Sequence, residues 1–257
     1  MSGNATTPGA TVTSKALALL GAFDAGHRRL TLTEMARRAV VPVPTAHRLI
    51  GELLEWGAVW REPNGQYVIG QRLWDLGLLA PVHTGLRELA SPFLHDIYGA
   101  TLATVHLAVR DGVEVLYLDR LSGHASVPVV SQIGSRLPLH ATGVGKVLLA
   151  HAPDAVQRQA FTMLTRVTPY TVVHAGVLGE QLRRVRRDGY AATQEEMTLG
   201  ACSVAVPVFS EDDDVVAALG MVVPSLRRDK QRLVTALQVA ARGVTRTLAA
   251  RDRASQV

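Results

Sequence analysis

The chain has 257 residues, of which 47% are hydrophobic, and this is enough for two domains that each bury their own core. Its single cysteine, Cys202, excludes an intrachain disulfide and a cysteine-based zinc site, and it favours a reducing cytoplasm. The net charge of +5 suits a nucleic-acid partner, although residues 1–70 carry only seven Lys/Arg against five Asp/Glu. No uninterrupted apolar run reaches the roughly 18 residues of a membrane span, so no membrane partner is expected.

The N-terminal segment, residues 1–13, is rich in Ser, Thr, Gly and Pro and has no apolar core region. It therefore predicts a disordered tail rather than a signal peptide. Ser14 is expected to cap a first helix, Lys15–Asp24, which ends before Gly26. This helix, the elements that follow it and residues up to Gly70 form the first predicted domain, 14–70.

Two further helices are predicted within residues 30–56. Thr33 is a good N-cap for a helix with Glu34 in its first turn. That helix must end before Pro42, because the residue that precedes a proline is disfavoured in helical conformation. A longer helix, Pro44–Trp56, follows, with apolar side chains at a spacing of three and four residues.

A hairpin is predicted directly behind these helices. Gly57 ends the helix Pro44–Trp56, and Asn64-Gly65 between two strand-like runs is a strong signal for a hairpin turn. Two helices, a turn and a hairpin in this order form a winged helix-turn-helix, which reads DNA. The hairpin is what favours this interpretation over an ordinary amphipathic helix pair.

The candidate DNA contacts lie mostly at the N-terminal end of the predicted helix Pro44–Trp56. Thr45, His47 and Arg48 stand away from the apolar stripe, where a recognition helix presents donors to base edges in the major groove. A solvated polar face on an ordinary helix would show the same pattern. Thr33 and Arg61 complete the set of candidate DNA-binding residues.

The remainder of the chain predicts a linker helix at residues 71–84 and a second domain at residues 85–257. Alternating patterns and turn signals predict strands that are joined by helical segments, which is typical of an α+β domain with an antiparallel sheet and flanking helices. The predicted strands are Thr101–Val109, Val113–Leu121, Ser126–Gln132, Tyr190–Glu196, Ser203–Ser210 and Val215–Val223. The predicted helices are Leu86–Tyr98, Val144–Ala150, Asp154–Phe161 with Asp154 as its cap, Gly179–Asp188 and Asp229–Ala250.

The first domain resembles the DNA-binding domain of the IclR family of bacterial transcriptional regulators. The shared motifs are T-L-T-E-M-A-R-R at 31–38, T-x-H-R-L at 45–49, L-x-x-x-G at 53–57 and Y-x-I-G at 67–70. The second domain is similar to the GAF-like effector domain of the same family. It carries R-L-P-L-H-A-T-x-x-G-K at 136–146, D-G-Y-A at 188–191, E-E at 195–196 and P-V-F at 207–209, so the resemblance covers nearly the whole chain.

This resemblance implies a partner set and a pocket. The partners would be a pseudo-palindromic double-stranded operator, a small-molecule effector and further copies of the chain, as a dimer or a dimer of dimers, with no cofactor and no metal. The effector would lie in the sheet of the second domain. The implied lining residues are Ala141, Thr142, Gly143, Thr193, Ser203, Gly220 and Val222.

Departures from the family pattern suggest the chemistry of the effector. An aspartate and two serines that hold small keto acids in some relatives fall at Thr193, Gly220 and Val222, and the usual cysteine position falls at Ser203, so that Cys202 would face the other way. If buried hydrogen-bonding side chains are replaced by apolar ones, the oxygens of a small keto acid lose their partners. An aromatic or otherwise apolar carboxylic acid is therefore expected, held by the turn 141–143 at a helix N-terminus, with a keto acid such as glyoxylate or pyruvate as the alternative. That turn would also serve as a plain helix cap.

Other functions fit the sequence less well. The sequence has no zinc-protease, nucleophile-elbow or dinucleotide-binding motif, and Glu195 and Glu196, adjacent on a predicted strand, would face opposite ways and could not act as a pair. Val43-Pro44 replaces a Lys-Ser pair that relatives carry before their T-x-H-R motif, which removes one phosphate contact. A ligand-responsive regulator of a catabolic operon is predicted, ahead of an architectural DNA-binding protein without an effector.

Overall fold

The computed structural model describes residues 11–24, 26–78, 84–123, 127 and 129–254. By their internal contacts the residues divide into two compact units, Met1–Val82 and His83–Val257. Each unit buries a hydrophobic core of its own. The predicted tail, residues 1–13, lies outside the described residues as far as residue 10.

The N-terminal unit is a winged helix-turn-helix, as predicted. Its elements in chain order are α1 Val12–Leu20, α2 Leu32–Arg38, α3 Val43–Trp56, β1 Val59–Arg61, β2 Tyr67–Ile69 and α4 Gln71–Leu78. The strands β1 and β2 pair in antiparallel fashion, with Gly65 in the turn at a φ of +86° that favours glycine. Leu19, Met35, Leu49 and Ile50 meet in the core beneath the helices.

Three predicted helix starts in this unit were wrong by one to three residues. The cap of α1 is Thr11 and not Ser14, so helical structure already begins at Val12, inside the predicted tail. The cap of α2 is Thr31 and not Thr33, because the Thr31 hydroxyl accepts from the Glu34 amide while the Glu34 carboxylate accepts from the Thr31 amide. Helix α3 starts at Val43, so Pro44 occupies its first turn as expected.

The C-terminal unit is built on a six-stranded antiparallel sheet. Its helices are α5 Thr84–Thr101, α6 Gly143–Ala150, α7 Asp154–Thr162, α8 Ala175–Asp188 and α9 Lys230–Ala254. Its strands are β3 Thr104–Asp111, β4 Glu114–Leu121, β5 Arg136–Pro138, β6 Ala191–Gln194, β7 Cys202–Phe209 and β8 Val215–Val223. The spatial order of the strands is β5-β4-β3-β8-β7-β6.

Helices cover both faces of this sheet. On one face, alternate residues such as Leu107, Val206 and Leu219 pack with α5 and α9. On the other face, Ala108 and Ala218 belong to a core that includes residues of α6, α7 and α8. Successive residues of a strand point to opposite faces, so the side chains that alternate with the first core lie on the α6 side.

The structure corrects several predicted boundaries in this unit. Helix α5 runs past Gly99, which was expected to end it, and Asp154 makes no capping hydrogen bond because Pro153 precedes α7 as its N-cap. The described residues of the predicted strand Ser126–Gln132 form no strand, while β5 was not predicted. The predicted linker helix is described only as far as Leu78.

The charged side chains of α8 and of the Glu pair also differ in part from expectation. Arg183 and Arg184 are exposed and pair with Glu180, as a solvated face requires, whereas Arg186 donates to the Ala150 carbonyl oxygen. Glu195 lies beyond the end of β6 with a φ of +56°. The two carboxylates therefore diverge because the chain turns here, and not because of strand alternation.

Candidate functional site

Helix α3 presents a polar surface at its N-terminal end. His47 and Arg48 are exposed and Thr45 is half-buried, while Ala46, Leu49 and Ile50 face the core. Pro42 and Pro44 frame the start of the helix, so its first turns project from the unit without a side-chain cap. This is the arrangement in which a helix enters a major groove with its N-terminal residues facing the bases.

Arg48 is held by a neighbour on the same helix. Its Nη1 donates to the carboxylate of Glu52, one turn further on, and both side chains stand more than half in solvent. An exposed pair of this kind contributes little free energy. The guanidinium can therefore leave Glu52 for an acceptor on DNA at a small cost.

The hairpin supplies a second exposed cation. Arg61 lies on β1 opposite Tyr67, with its guanidinium 5.6 Å from the centre of the Tyr67 ring. Trp60, next to it, is 67% exposed. Thr33, the remaining predicted DNA contact, is exposed on α2, so all five predicted DNA-contacting residues are at least partly accessible in this unit.

The C-terminal unit contains a cavity on the α6 side of its sheet. About 490 Å³ of space lies between its walls, and this figure includes space that is open to solvent. All seven residues predicted to bind an effector line it, and none of the described lining residues carries a charge at neutral pH. Its apolar lining includes Val129, Val130, Leu137, Val144 and Val222.

One end of the cavity, here called the α6 end, combines hydroxyl groups with the start of a helix. Thr193 and Ser203 are paired across β6 and β7, and their hydroxyl oxygens are 2.6 Å apart. Thr142 caps α6 by accepting from the Gly145 amide at 3.0 Å. The first amides of a helix have no intrahelical acceptor, so this end offers N–H and O–H donors to an anion.

Two glycines permit close packing between α6 and the sheet at this end. A Cβ atom on Gly143 would lie 2.5 Å from the Ser203 hydroxyl oxygen, and one on Gly220 would lie 2.7 Å from a methyl of Val144. The absence of these side chains lets α6 approach the sheet closely. Gly220 stands where the family pattern has a serine that binds small keto acids. Here the position serves close packing, and its residue has no side chain to donate a hydrogen bond.

The other end of the cavity, here called the His106 end, was not predicted. His106 on β3 is 3% exposed, and its Nε2 lies 2.8 Å from the Ser131 hydroxyl oxygen. The carbonyl oxygen of Ser131 accepts from Nη1 of Arg120 at 2.8 Å. Burial, and secondarily the charge of Arg120, lowers the pKa of His106 from 6.5 to about 3, so the imidazole is neutral at physiological pH.

Tyr117 lies between these two ends. Its ring meets His106 edge to face, with centroids 5.0 Å apart. Burial raises the pKa of its phenol above the usual range, and an interaction with the Thr142 side chain opposes that rise. The phenol is therefore neutral and its ring forms an aromatic part of the cavity wall.

A buried ion pair lies beside the cavity. Nζ of Lys146 on α6 is 2.5 Å from a carboxylate oxygen of Glu196 and also donates to the Gln181 side chain at 2.8 Å. The two side chains are only 1% and 7% exposed. Burial lowers the pKa of Lys146, and the adjacent carboxylate opposes this. The pair ties α6 to the segment that continues into Met197 and Thr198, which line the cavity.

The remaining sequence-level candidates have structural roles. Cys202 is buried and does not line the cavity, whereas its neighbour Ser203 does. Within the described part of the chain no group of three or more His, Cys, Asp or Glu side chains is placed to hold a metal ion. None of the described helices combines the length and the apolar character that crossing a membrane requires.

Two family matches together span most of the chain. Residues 12–63 match the IclR helix-turn-helix domain. Residues 80–246 match the bacterial transcriptional regulator IclR C-terminal domain. The HTH-type transcriptional regulator XynR of Escherichia coli (strain K12) is 32% identical over 222 residues, which cover 85% of this chain and 88% of that protein. The regulator BhcR of Paracoccus denitrificans (strain Pd 1222) is 33% identical over 79% of this chain and 74% of its own.

Solved structures agree with these matches. An IclR homologue from Microbacterium hydrocarbonoxydans, solved in complex with 4-hydroxybenzoate, is 34% identical and superposes with a TM-score of 0.88, covering 93% of this chain and 100% of that one. The Thermotoga maritima IclR is 28% identical with a TM-score of 0.75, covering 92% and 98%.

Proposed function

The chain belongs to the IclR family of bacterial transcriptional regulators, and on that premise we propose that it controls a catabolic operon in response to an aromatic carboxylic acid. It is a DNA-binding regulator and not an enzyme. The observation that carries the proposal is the cavity with one donor-rich end and otherwise largely apolar walls. The relative that binds 4-hydroxybenzoate supports the same class of effector.

The carboxylate of the effector would bind at the α6 end. The first amides of α6 supply donors there, together with the one hydroxyl hydrogen that the Thr193–Ser203 pair leaves free, and a helix N-terminus favours an anion. The Thr142 hydroxyl donates to the Pro138 carbonyl oxygen and accepts from the Gly145 amide, so its hydrogen is already used. The ring would lie against Val144, Val222 and the edge of Tyr117. A small keto acid, the alternative effector, would leave these apolar side chains in contact with water and would gain little from them.

DNA binding would use helix α3 and the hairpin. We assign Arg48 to a guanine edge, His47 and Thr45 to bases or phosphates, and Thr33 and Arg61 to the DNA backbone. Two copies related by a two-fold axis would read a pseudo-palindromic operator with half-sites about one helical turn apart. Exposed apolar side chains in the N-terminal unit, among them Leu17 and Trp74, support pairing of copies.

The response would be a shift between two arrangements of the oligomer. An effector changes operator affinity only by the difference between its affinities for the two arrangements. Lys146 and Glu196 connect helix α6, at the α6 end of the cavity, to the segment 195–201. An acid bound at the α6 end can therefore alter the position of that segment.

A thermal-shift panel on the full chain tests the effector class. Benzoates and phenylacetates at about 100 times their dissociation constant should stabilise the protein by about 2.7 kcal/mol and raise the unfolding midpoint by several degrees. Glyoxylate and pyruvate should not raise it. Ser203→Ala should weaken the response to every acid, whereas Thr235→Ala, the matched loss of a hydroxyl on the exposed side of α9, should leave it unchanged. A shift with keto acids alone would favour the alternative effector.

A further inference from the structure

The two ends of the cavity differ in a way that a simple aromatic acid does not use. The α6 end supplies donors for an anion. The His106 end consists of a neutral imidazole and a hydroxyl, both buried, and among the described residues it adds no cation to the cavity lining. A benzoate anchored by its carboxylate would place unsubstituted ring carbon against this polar pair.

The register of the sheet sets the distance between the ends. Ser203 on β7 pairs with Val222 on β8. His106 on β3 pairs with Gly220, which is two residues before Val222 on the same face of β8. Ser203 and His106 therefore lie two strand spacings apart across the sheet and two residues apart along the strands, a backbone separation of roughly 12 Å. One aromatic ring with a carboxylate on one side and a hydroxyl on the other bridges this gap through a hydrogen bond of about 3 Å at each end.

The His106–Ser131 pair suits a hydroxyl group more than any other substituent. Only one hydrogen lies between Nε2 and the Ser131 oxygen, which are 2.8 Å apart. If the imidazole donates, the Ser131 O–H is left to donate, and if Ser131 donates, its oxygen is left to accept. A phenolic hydroxyl can meet either demand, whereas a methyl group or a hydrogen can meet neither.

Arg120 fixes this arrangement without competing for the ligand. Its guanidinium holds the carbonyl oxygen of Ser131 at 2.8 Å and so fixes the position of that residue above β3. Arg120 itself is not among the residues that line the cavity. The end that His106 and Ser131 present is therefore neutral, which favours a neutral hydroxyl over a second carboxylate.

From these contacts we propose that the cavity recognises a hydroxylated aromatic acid, with the carboxylate at the α6 end and a ring hydroxyl, para to it, bound by His106 and Ser131. This inference rests on the proposed function and names the substituent that determines specificity. His106 and Ser131 are ligand-binding residues in this account, and Tyr117 contributes the aromatic wall between the two ends.

Calorimetric titration of the full chain with three acids tests the inference. The acids are benzoate, 4-methylbenzoate, which matches the size of the hydroxyl without its polarity, and 4-hydroxybenzoate. The wild-type protein should bind 4-hydroxybenzoate at least about tenfold more tightly than the other two. Ser131→Ala should reduce that preference to about twofold or less while leaving the affinity for benzoate unchanged.

Two further variants separate the possible outcomes. His106→Phe keeps a ring of similar size and should also abolish the preference for 4-hydroxybenzoate. Ser203→Ala should weaken the binding of all three acids by a similar factor and so preserve that preference. Equal binding of the three acids by the wild-type protein, or a preference that survives both His106→Phe and Ser131→Ala, would overturn the hydroxyl assignment and leave the aromatic effector standing. Failure of all three acids to bind would instead contradict the proposed function itself.

Discussion

The polar side chains of helix α3 stand in solvent, whereas those of the cavity are buried, and the two regions achieve recognition by different physical means. Arg48 and Glu52 form a pair that is more than half exposed on both sides. Lys146 and Glu196 form a pair that is almost fully buried. Arg48 can leave Glu52 for an acceptor on DNA at little cost in free energy, whereas the Lys146–Glu196 pair is part of the structure beside the cavity.

The difference shows how each unit is adapted to its ligand. DNA brings its own charge and supplies partners to exposed cations, so the N-terminal unit needs only accessible donors on a rigid helix. A small effector is enclosed, and each polar atom around it must already have a partner or find one in the ligand. Substitutions should therefore affect DNA affinity in one unit and stability or ligand choice in the other.

The largest effect is expected at the buried ion pair. Lys146→Met leaves the Glu196 carboxylate buried without its cation and should lower the free energy of unfolding by about 3–5 kcal/mol. Denaturant unfolding at neutral pH measures this loss. The double variant Lys146→Met/Glu196→Met removes both charges and should recover most of it. Equal stability of the single variant and the wild type would show that the pair is not an essential part of the pocket.

A smaller effect, on a different property, is expected at the exposed pair. Arg48→Ala should weaken binding to a duplex selected from a random library by about 1–3 kcal/mol, measured by fluorescence anisotropy. The same substitution should leave the thermal midpoint nearly unchanged, because exposed pairs contribute about 0–1 kcal/mol. Unchanged affinity for the selected duplex would remove Arg48 from the set of base-reading residues.

The neutral state of His106 predicts a pH dependence confined to the C-terminal unit. Its pKa is lowered to about 3 in the folded protein, so below the unfolded value of 6.5 the unfolded chain binds a proton that the folded one does not. Stability conferred by the neutral imidazole is therefore complete above about pH 6.5 and is lost as the pH falls toward 3. Between pH 7 and pH 5 the wild type should lose about 2 kcal/mol more than His106→Phe. If the free energy of unfolding fell by the same amount in both proteins, His106 would take up its proton between pH 7 and pH 5 in the folded protein as it does in the unfolded one.

The smallest effect is expected in the hairpin. Arg61→Ala should weaken binding to selected and unselected duplexes alike, and it should reduce the slope of log affinity against log salt by about one unit. Arg48→Ala should instead weaken the selected duplex more than an unselected one. If Arg61→Ala changed the preferred sequence, the hairpin would be reading bases and not phosphates.

The sequence predicted the N-terminal unit well because its signals are local. The asparagine-glycine turn, Pro42 and Pro44 at the start of α3 and Gly57 after it are all within a few residues of the structure that they specify. The caps were misplaced because several hydroxyl residues lie close together at each helix start. Thr31 and Thr33 are equally good caps on composition, and only the reach of Glu34 back to the Thr31 amide selects the first.

The cavity could be predicted only in part, because it is assembled from distant segments. Resemblance to a family supplied the residues at the α6 end. His106 was missed because it lies in the apolar run of β3, and Ser131 was missed because Ser126–Gln132 has the alternation of a strand. The pairing of Lys146 with Glu196, fifty residues apart in sequence, depends on tertiary packing and leaves no local signal.

Effector binding in the C-terminal unit is proposed to change operator binding by the N-terminal unit, and a DNA titration measures this coupling. The affinity of the full chain for a selected operator duplex should be measured by fluorescence anisotropy at fixed salt, with and without saturating 4-hydroxybenzoate. We expect the acid to change the apparent dissociation constant for the operator by about 5–150-fold, in either direction. In Ser131→Ala and Ser203→Ala the same change should require a higher concentration of the acid. An operator affinity that stays the same while calorimetry shows the acid bound would contradict the claim that this protein is a regulator responsive to that acid.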